Sequence, residues 1–179
     1  MTKRKLIFID IDGVLNNKHD GTSYFCFNPD TYGLSEKNLD VLRHILKETD
    51  AKLVLSTSWR NHDENYAYPY HGKEYKSPLK KFIDDIGPSN FFTIPKAPHL
   101  HKHSKASDIE GFFYVMKEFL KVELEDTKFA VLDDQTNQGL HIFGSSFFCI
   151  DLNNGLTMND AESIIFHLNG VKDNEDKKI

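Results

Sequence analysis

A short apolar run ending in acids, Leu6-Ile7-Phe8-Ile9 followed by Asp10-Ile11-Asp12-Gly13, constrains this chain more than any other feature. Such a run, β-rich and unbroken, reads as a strand buried on both faces, with carboxylates at its carboxyl end. The pattern recurs along the chain. Leu53-Val54-Leu55 leads into Ser56-Thr57-Ser58-Trp59-Arg60, Phe129-Ala130-Val131-Leu132 into Asp133-Asp134, and Phe147-Phe148-Cys149-Ile150 into Asp151. Phe91-Phe92-Thr93-Ile94 is a weaker fifth run.

Helical spacing fills the intervals. Leu39, Leu42, Ile45 and Leu46 share one face, with Ser35 as N-cap and Leu34 and Leu39 as a hydrophobic staple. Ile109, Phe112, Phe113, Met116, Phe119 and Leu120 repeat the spacing. Ser107 and Glu110 match a capping box and predict a helix start near Asp108. A last helix carries Ala161, Ile164, Ile165 and Leu168, entered at Thr157 or Asn159. Alternating strands and helices predict an α/β fold, a Rossmann-like doubly wound parallel sheet covered on both faces.

At 179 residues the chain fits one domain, residues 1–170, followed by a charged flexible tail over 171–179. Two segments interrupt the alternation: a polar and aromatic stretch over 13–34 that suits a flap, and an insertion over 61–104. The insertion holds five of the six prolines and a short helix, Pro78–Ile86. Neither is long enough for a large cap domain. Cys26 and Cys149 are far apart and form no CxxC pair, which argues against a disulfide framework and for a reducing, cytoplasmic setting. No run approaches a membrane span, so no membrane partner is expected.

In a parallel α/β sheet, ligands bind outside the carboxyl ends of the strands. Asp10, Asp12, Ser56, Thr57, Asp133 and Asp134 all fall there. Converging carboxylates repel one another unless a cation joins them, and oxygen-only ligands favour Mg²⁺ beside a phosphate. The pattern points to phosphoryl transfer before any family is considered.

Asp10-Ile11-Asp12-Gly13-Val14-Leu15-Asn16 resembles the first motif of the haloacid dehalogenase-like (HAD) phosphatases. Leu53-Val54-Leu55-Ser56 resembles the second, Lys105 ahead of a capped helix the third, and Val131-Leu132-Asp133-Asp134 the fourth, in the family's order. Ser56-Thr57-Ser58-Trp59-Arg60, Lys105-Ala106-Ser107-Asp108-Ile109 and Gly155-Leu156-Thr157 resemble one branch, the HAD domain of Swiss Army Knife RNA repair proteins. The chain departs from that branch in carrying Lys105 where Arg is commoner; either cation neutralises phosphate.

The resemblance implies catalytic roles for Asp10 as nucleophile and Asp12 as acid and base. Ser56 would bond a phosphoryl oxygen and Lys105 would neutralise another. It implies Mg²⁺ held by the Asp10 carboxylate, the Asp12 backbone carbonyl and an acid of the Asp133/Asp134 pair. Thr57, Arg60 and Lys102 are further substrate-binding candidates, Lys102 as the rival of Lys105 and Arg60 with a structural ion pair as its alternative. Trp59 reads as a core or wall residue, and Asp151 as a turn residue or an outer support of the site and not a ligand.

The charge pattern bears on the substrate. The whole chain carries −5, yet His71 to Ser107 carries seven lysines against Glu74, Asp84 and Asp85, a net +4, leaving −9 elsewhere. His99, His101 and His103 alternate inside this segment among lysines, which reads as a basic loop and not a zinc site. Tyr66, Tyr68, Tyr70 and Tyr75 lie at or before its start, and aromatics among lysines suit single-stranded nucleic acid. A phosphorylated substrate follows, with nucleic-acid ends and small phosphomonoesters as rival classes. A non-catalytic nucleic-acid-binding module is the reading from another class. Oligomeric state is not legible.

Overall fold

A computed structural model describes residues 3–22, 33–61, 68–70, 73–75, 78–97, 104–122 and 124–170. In chain order the first half runs β1 (Arg4–Ile9), α1 (Glu36–Thr49), β2 (Lys52–Leu55), β3 (Tyr68–Tyr70), β4 (Lys73–Tyr75) and α2 (Pro78–Ile86). The second half runs β5 (Phe91–Lys96), α3 (Lys105–Leu120), β6 (Thr127–Asp133), β7 (Phe147–Cys149) and α4 (Met158–Asn169). Five strands form one parallel sheet in the order β5-β2-β1-β6-β7, and β3 and β4 form a separate antiparallel hairpin. The first strand lies centrally and the chain winds outward both ways, so this is the doubly wound α/β fold that the alternation predicts.

Side chains alternate across the sheet and build two cores. Ile7, Ile9, Leu53, Leu55 and Leu132 pack with α1, α2 and α4 on one face. Leu6, Phe8, Val54 and Val131 pack with Ile109, Phe112 and Met116 of α3 on the other. Phe8 is fully buried and meets Phe112 edge-on at 5.2 Å between ring centres. Its replacement by Ala would cost about 3–5 kcal/mol.

The register matters most for function. Ile9 pairs with Leu55 on one side and Leu132 on the other, so β1, β2 and β6 end level with one another. No helix among the described residues is long and apolar enough to cross a membrane.

Local signals hold at most boundaries. Ser35 caps α1 by accepting the Asn38 N–H, and Thr157 caps α4 through a capping box with Asp160. The start of α3 differs from the expectation. It begins at Lys105, with Ser104 as N-cap accepting the Ser107 N–H, and not near Asp108. Two serines three residues apart compete for the cap; the earlier start also lets the Ala106 N–H donate to the Gln138 carbonyl from a distant loop. The β3–β4 hairpin was not foreseen, because three-residue strands leave no readable alternation. Of the expected flap, residues 23–32 lie outside the described residues, as do the tail 171–179, Tyr66, the three alternating histidines and Lys102.

Candidate active site

Beyond Ile9 the chain continues one residue in the ladder, the Asp10 N–H donating to the Leu132 carbonyl at 2.9 Å. It then turns sharply. The Val14 and Leu15 N–H groups both donate to the Ile11 carbonyl, and Gly13 takes φ +79°, a left-handed conformation that favours glycine. A Cβ on Gly13 would lie 2.5 Å from Asp134 Cγ, so this glycine is also the seat of the Asp134 side chain. The turn brings Asp12 back toward the sheet edge. There its Oδ1 accepts from Asn16 Nδ2 at 2.8 Å and its Oδ2 from Trp59 Nε1 at 3.0 Å.

Neighbouring strands supply the rest. The Ser56 N–H donates to the Ile9 carbonyl at 3.0 Å, which places Ser56 beside Asp10. Asp133 ends β6; its Oδ1 accepts the Gln135 N–H at 2.9 Å. From the first turn of α3, Lys105 Nζ donates to Asp10 Oδ2 and, at 2.7 Å, to Asp133 Oδ2. Asp10 and Asp133 are buried, at 3% and 0% exposure.

One oxygen each of Asp10, Asp133 and Asp134 lie within 4.8 Å of one another. Burial pushes the Asp133 carboxyl up to about 6, the Asp10 carboxylate adds to the rise, and Lys105 offsets only part of it. Asp134 is raised for the same two reasons, in the same order. Asp12 is raised chiefly by burial, against the hydrogen bonds of Asn16 and Trp59. For Lys105, burial pulls downward, but Asp10 and Asp133 outweigh it and hold the ammonium above its ordinary range.

Two buried polar atoms of this region have no protein partner, Asp134 Oδ1 and Ser56 Oγ. Orphaned buried oxygens are rare because each forfeits about 1–3 kcal/mol of solvation. An all-oxygen set with one such atom free on Asp134 fits a hard divalent cation, and the Ser56 hydroxyl, on the β2 side of Asp10, fits an anionic ligand. Asp10, Asp133 and Asp134 are the residues that would hold the cation. The Asp12 carboxylate is not in that group, because both of its oxygens face Asn16 and Trp59.

The remaining expected residues divide clearly. Thr57 is fully buried, and its hydroxyl accepts the Trp59 N–H at 3.3 Å, capping the 3₁₀ turn over Ser58–Asn61. Arg60 lies in that turn, with its side chain outside the described residues. Asp151 is a turn residue, accepting from Asn153 N–H and from the side chains of Asn153 and Asn154. Trp59 is buried in the core, in line with one of its two readings, but sequence reasoning gave no role to Asn16 and none to the Trp59 indole N–H. The available signal was chemical: a lone buried tryptophan must find an acceptor for its indole N–H, and the acids after β1 are acceptors at the neighbouring strand end.

Comparison with known proteins agrees with the geometry. No curated protein and no solved structure matches the chain. Residues 6–161 match the family model described as the HAD domain in Swiss Army Knife RNA repair proteins. That span contains four strands of the parallel sheet whole, β1 from Leu6 onward and every acid of the cluster, and the family is of the phosphatase or hydrolase type that commonly uses a divalent metal. The chain belongs to the HAD domain family of Swiss Army Knife RNA repair proteins.

Proposed function

We propose that the protein is a Mg²⁺-dependent phosphomonoester hydrolase that works through an aspartyl-phosphate and acts on nucleic-acid ends. The observation that carries this reading is the buried group of Asp10, Asp133 and Asp134, joined by Lys105 and bordered by the unpartnered Ser56 hydroxyl. When bound, the cation supplies a positive charge that neutralises the carboxylates and the developing phosphoryl charge.

An Asp10 carboxylate oxygen attacks phosphorus as the P–O bond to the leaving group breaks. Asp12 hands its proton to the departing oxygen; its burial, which favours the protonated form, supports that task. Asp12 then takes a proton from water as the water oxygen bonds to phosphorus, and the Asp10–phosphorus bond breaks to release phosphate. Ser56 Oγ donates to a phosphoryl oxygen and the Lys105 ammonium faces the same charge. Thr57 supports this group from below through the turn it caps, while Arg60 and Lys102 serve the rest of the substrate. The enzyme would work in a reducing cytoplasm.

Nucleic-acid ends are favoured by the family's description and by the +4 segment from His71 to Ser107. Release of phosphate from 3′- and 5′-phosphorylated oligonucleotides, set against small phosphomonoesters under Mg²⁺, tests both halves. Faster turnover of the oligonucleotides, abolished by Asp10→Asn, is the expected result. Preference for the small esters would move the assignment to a metabolite phosphatase. Oligonucleotide binding with no hydrolysis of any ester would leave a binding module.

A further inference from the structure

Asp12 is gripped at both oxygens by donors from two separate parts of the chain. Asn16 Nδ2 reaches Oδ1 at 2.8 Å and Trp59 Nε1 reaches Oδ2 at 3.0 Å. Both donors are themselves fixed. Asn16 is 2% exposed, and its Oδ1 accepts the Gly13 N–H at 2.7 Å. Trp59 is 5% exposed, and its own N–H is capped by Thr57 Oγ1. Two donors on opposite oxygens set the plane of a carboxyl group as well as its place, and so remove the torsional freedom that an acid two residues past the nucleophile would otherwise keep.

The chemistry of the partners is selective. An indole nitrogen is a donor only, and the Asn16 carbonyl is already used by Gly13. Neither partner can therefore draw off a proton carried by Asp12, which stays available to a substrate oxygen. Asp10, the nearest acidic rival, is occupied instead by the Ile11 N–H and by Lys105.

We propose that Trp59 is a positioning residue for Asp12: its indole N–H, together with the Asn16 amide, holds the Asp12 carboxyl in the orientation from which it protonates the leaving oxygen. The catalytic half of this statement rests on the phosphatase reading; the hydrogen bond does not. Thr57 belongs to the same chain of contacts, since its cap fixes the turn that carries Trp59. One residue type after β2 thereby governs an acid after β1, across the Ile9–Leu55 pairing.

Trp59 is the sole tryptophan, so its indole N–H gives a single nitrogen-correlated NMR signal that can be read without any activity. Asp12→Ala should move that signal, and Asp151→Asn should not. Kinetics then test the role. Trp59→Phe, and replacement by 3-benzothienylalanine to keep the ring shape without the N–H, should lower kcat/KM for an alkyl phosphate by about 10- to 100-fold. For an aryl phosphate with an acidic leaving group, which needs no protonation, kcat/KM should change little. In an Asp12→Asn background Trp59→Phe should have almost no further effect. An indole signal indifferent to Asp12→Ala overturns the hydrogen bond. Equal losses for both esters, or a full loss in the Asp12→Asn background, overturn the positioning role. A wild type inert toward every ester overturns the phosphatase reading and the catalytic role with it, while the indole signal still judges the contact.

Discussion

The two ends of the parallel sheet treat charge in opposite ways. At the amino ends of the strands, Lys3, Arg4, Lys5, Lys52 and Lys128 surround a groove of about 700 Å³ that also touches Thr49, Asp50 and Leu168. At the carboxyl ends, Asp10, Asp133 and Asp134 crowd within 4.8 Å. The basic rim needs no ligand to account for it. The last turns of α1 and α4 end there, and the exposed carbonyls of a helix C-terminus favour cations by about 0.3–1 kcal/mol each. Three of its members are also individually satisfied: Lys5 on Asn169, Lys52 on the Ser89 carbonyl, Arg4 over the Phe92 ring at 5.6 Å. Lys105 is the contrast. It occupies the first turn of α3, where the helix field disfavours a cation, and only Asp10 and Asp133 explain its position. Charges that agree with the local field are fold chemistry; charges held against it mark the working end.

The largest expected break in that contrast is at Asp10. Asp10→Asn removes the proposed nucleophile and should lower phosphate release by at least about 1,000-fold. Lys105→Met should follow, lowering kcat/KM by about 100-fold. In metal-free buffer it should also destabilise the fold, since Asp10 and Asp133 would face each other without a counter-charge. Gly13→Ala comes next. Its Cβ would displace Asp134 and strain a left-handed position, costing about 1–3 kcal/mol in thermal unfolding and weakening any stabilisation by added Mg²⁺.

The pH dependence of stability gives a subtler test. Asp133 holds its proton up to about pH 6 in the folded state and releases it near its ordinary value of 3.8 when unfolded. The raised value therefore contributes stability that is fully present below the lower figure and is lost as pH rises through the higher one. Melting curves without metal should fall across that window. Mg²⁺ should raise the melting temperature above it and do little below, and Asp133→Asn should flatten the slope. The smallest effect belongs to the amino end. Lys52→Glu and Lys128→Glu should each cost under about 1 kcal/mol and leave kcat unchanged.

The strands were legible because apolar runs buried on both faces leave a strong signal, and the polar residues that follow them mark the working edge without any tertiary information. Cap chemistry located α1 at Ser35 and narrowed the start of α4 to Thr157 or Asn159, of which Thr157 is the cap. The start of α3 was not legible: the local capping box of Ser107 and Glu110 favours the later start, and the Gln138 carbonyl that favours the earlier one at Ser104 is distant in sequence. The same limit hid the Asp12–Trp59 contact, which spans 47 positions and exists only because β1 and β2 are neighbours. What the chain could show alone was which residue types gather at the edge. Which atom faces which depended on register.

The Lys105 bridge has a bearing on how the protein matures. A carboxylate cluster with no resident counter-charge would tie folding to the arrival of a metal, as in small domains that remain unfolded until loaded. Here the ammonium already offsets part of the negative charge of Asp10 and Asp133 from within the chain. The domain can complete its structure first and acquire its cation afterwards. An incoming ion must then share those carboxylates with a tethered competitor, which weakens apparent affinity and makes loading reversible. On the proposed metal-dependent reading, occupancy would track the free cation around the protein, and activity would track occupancy.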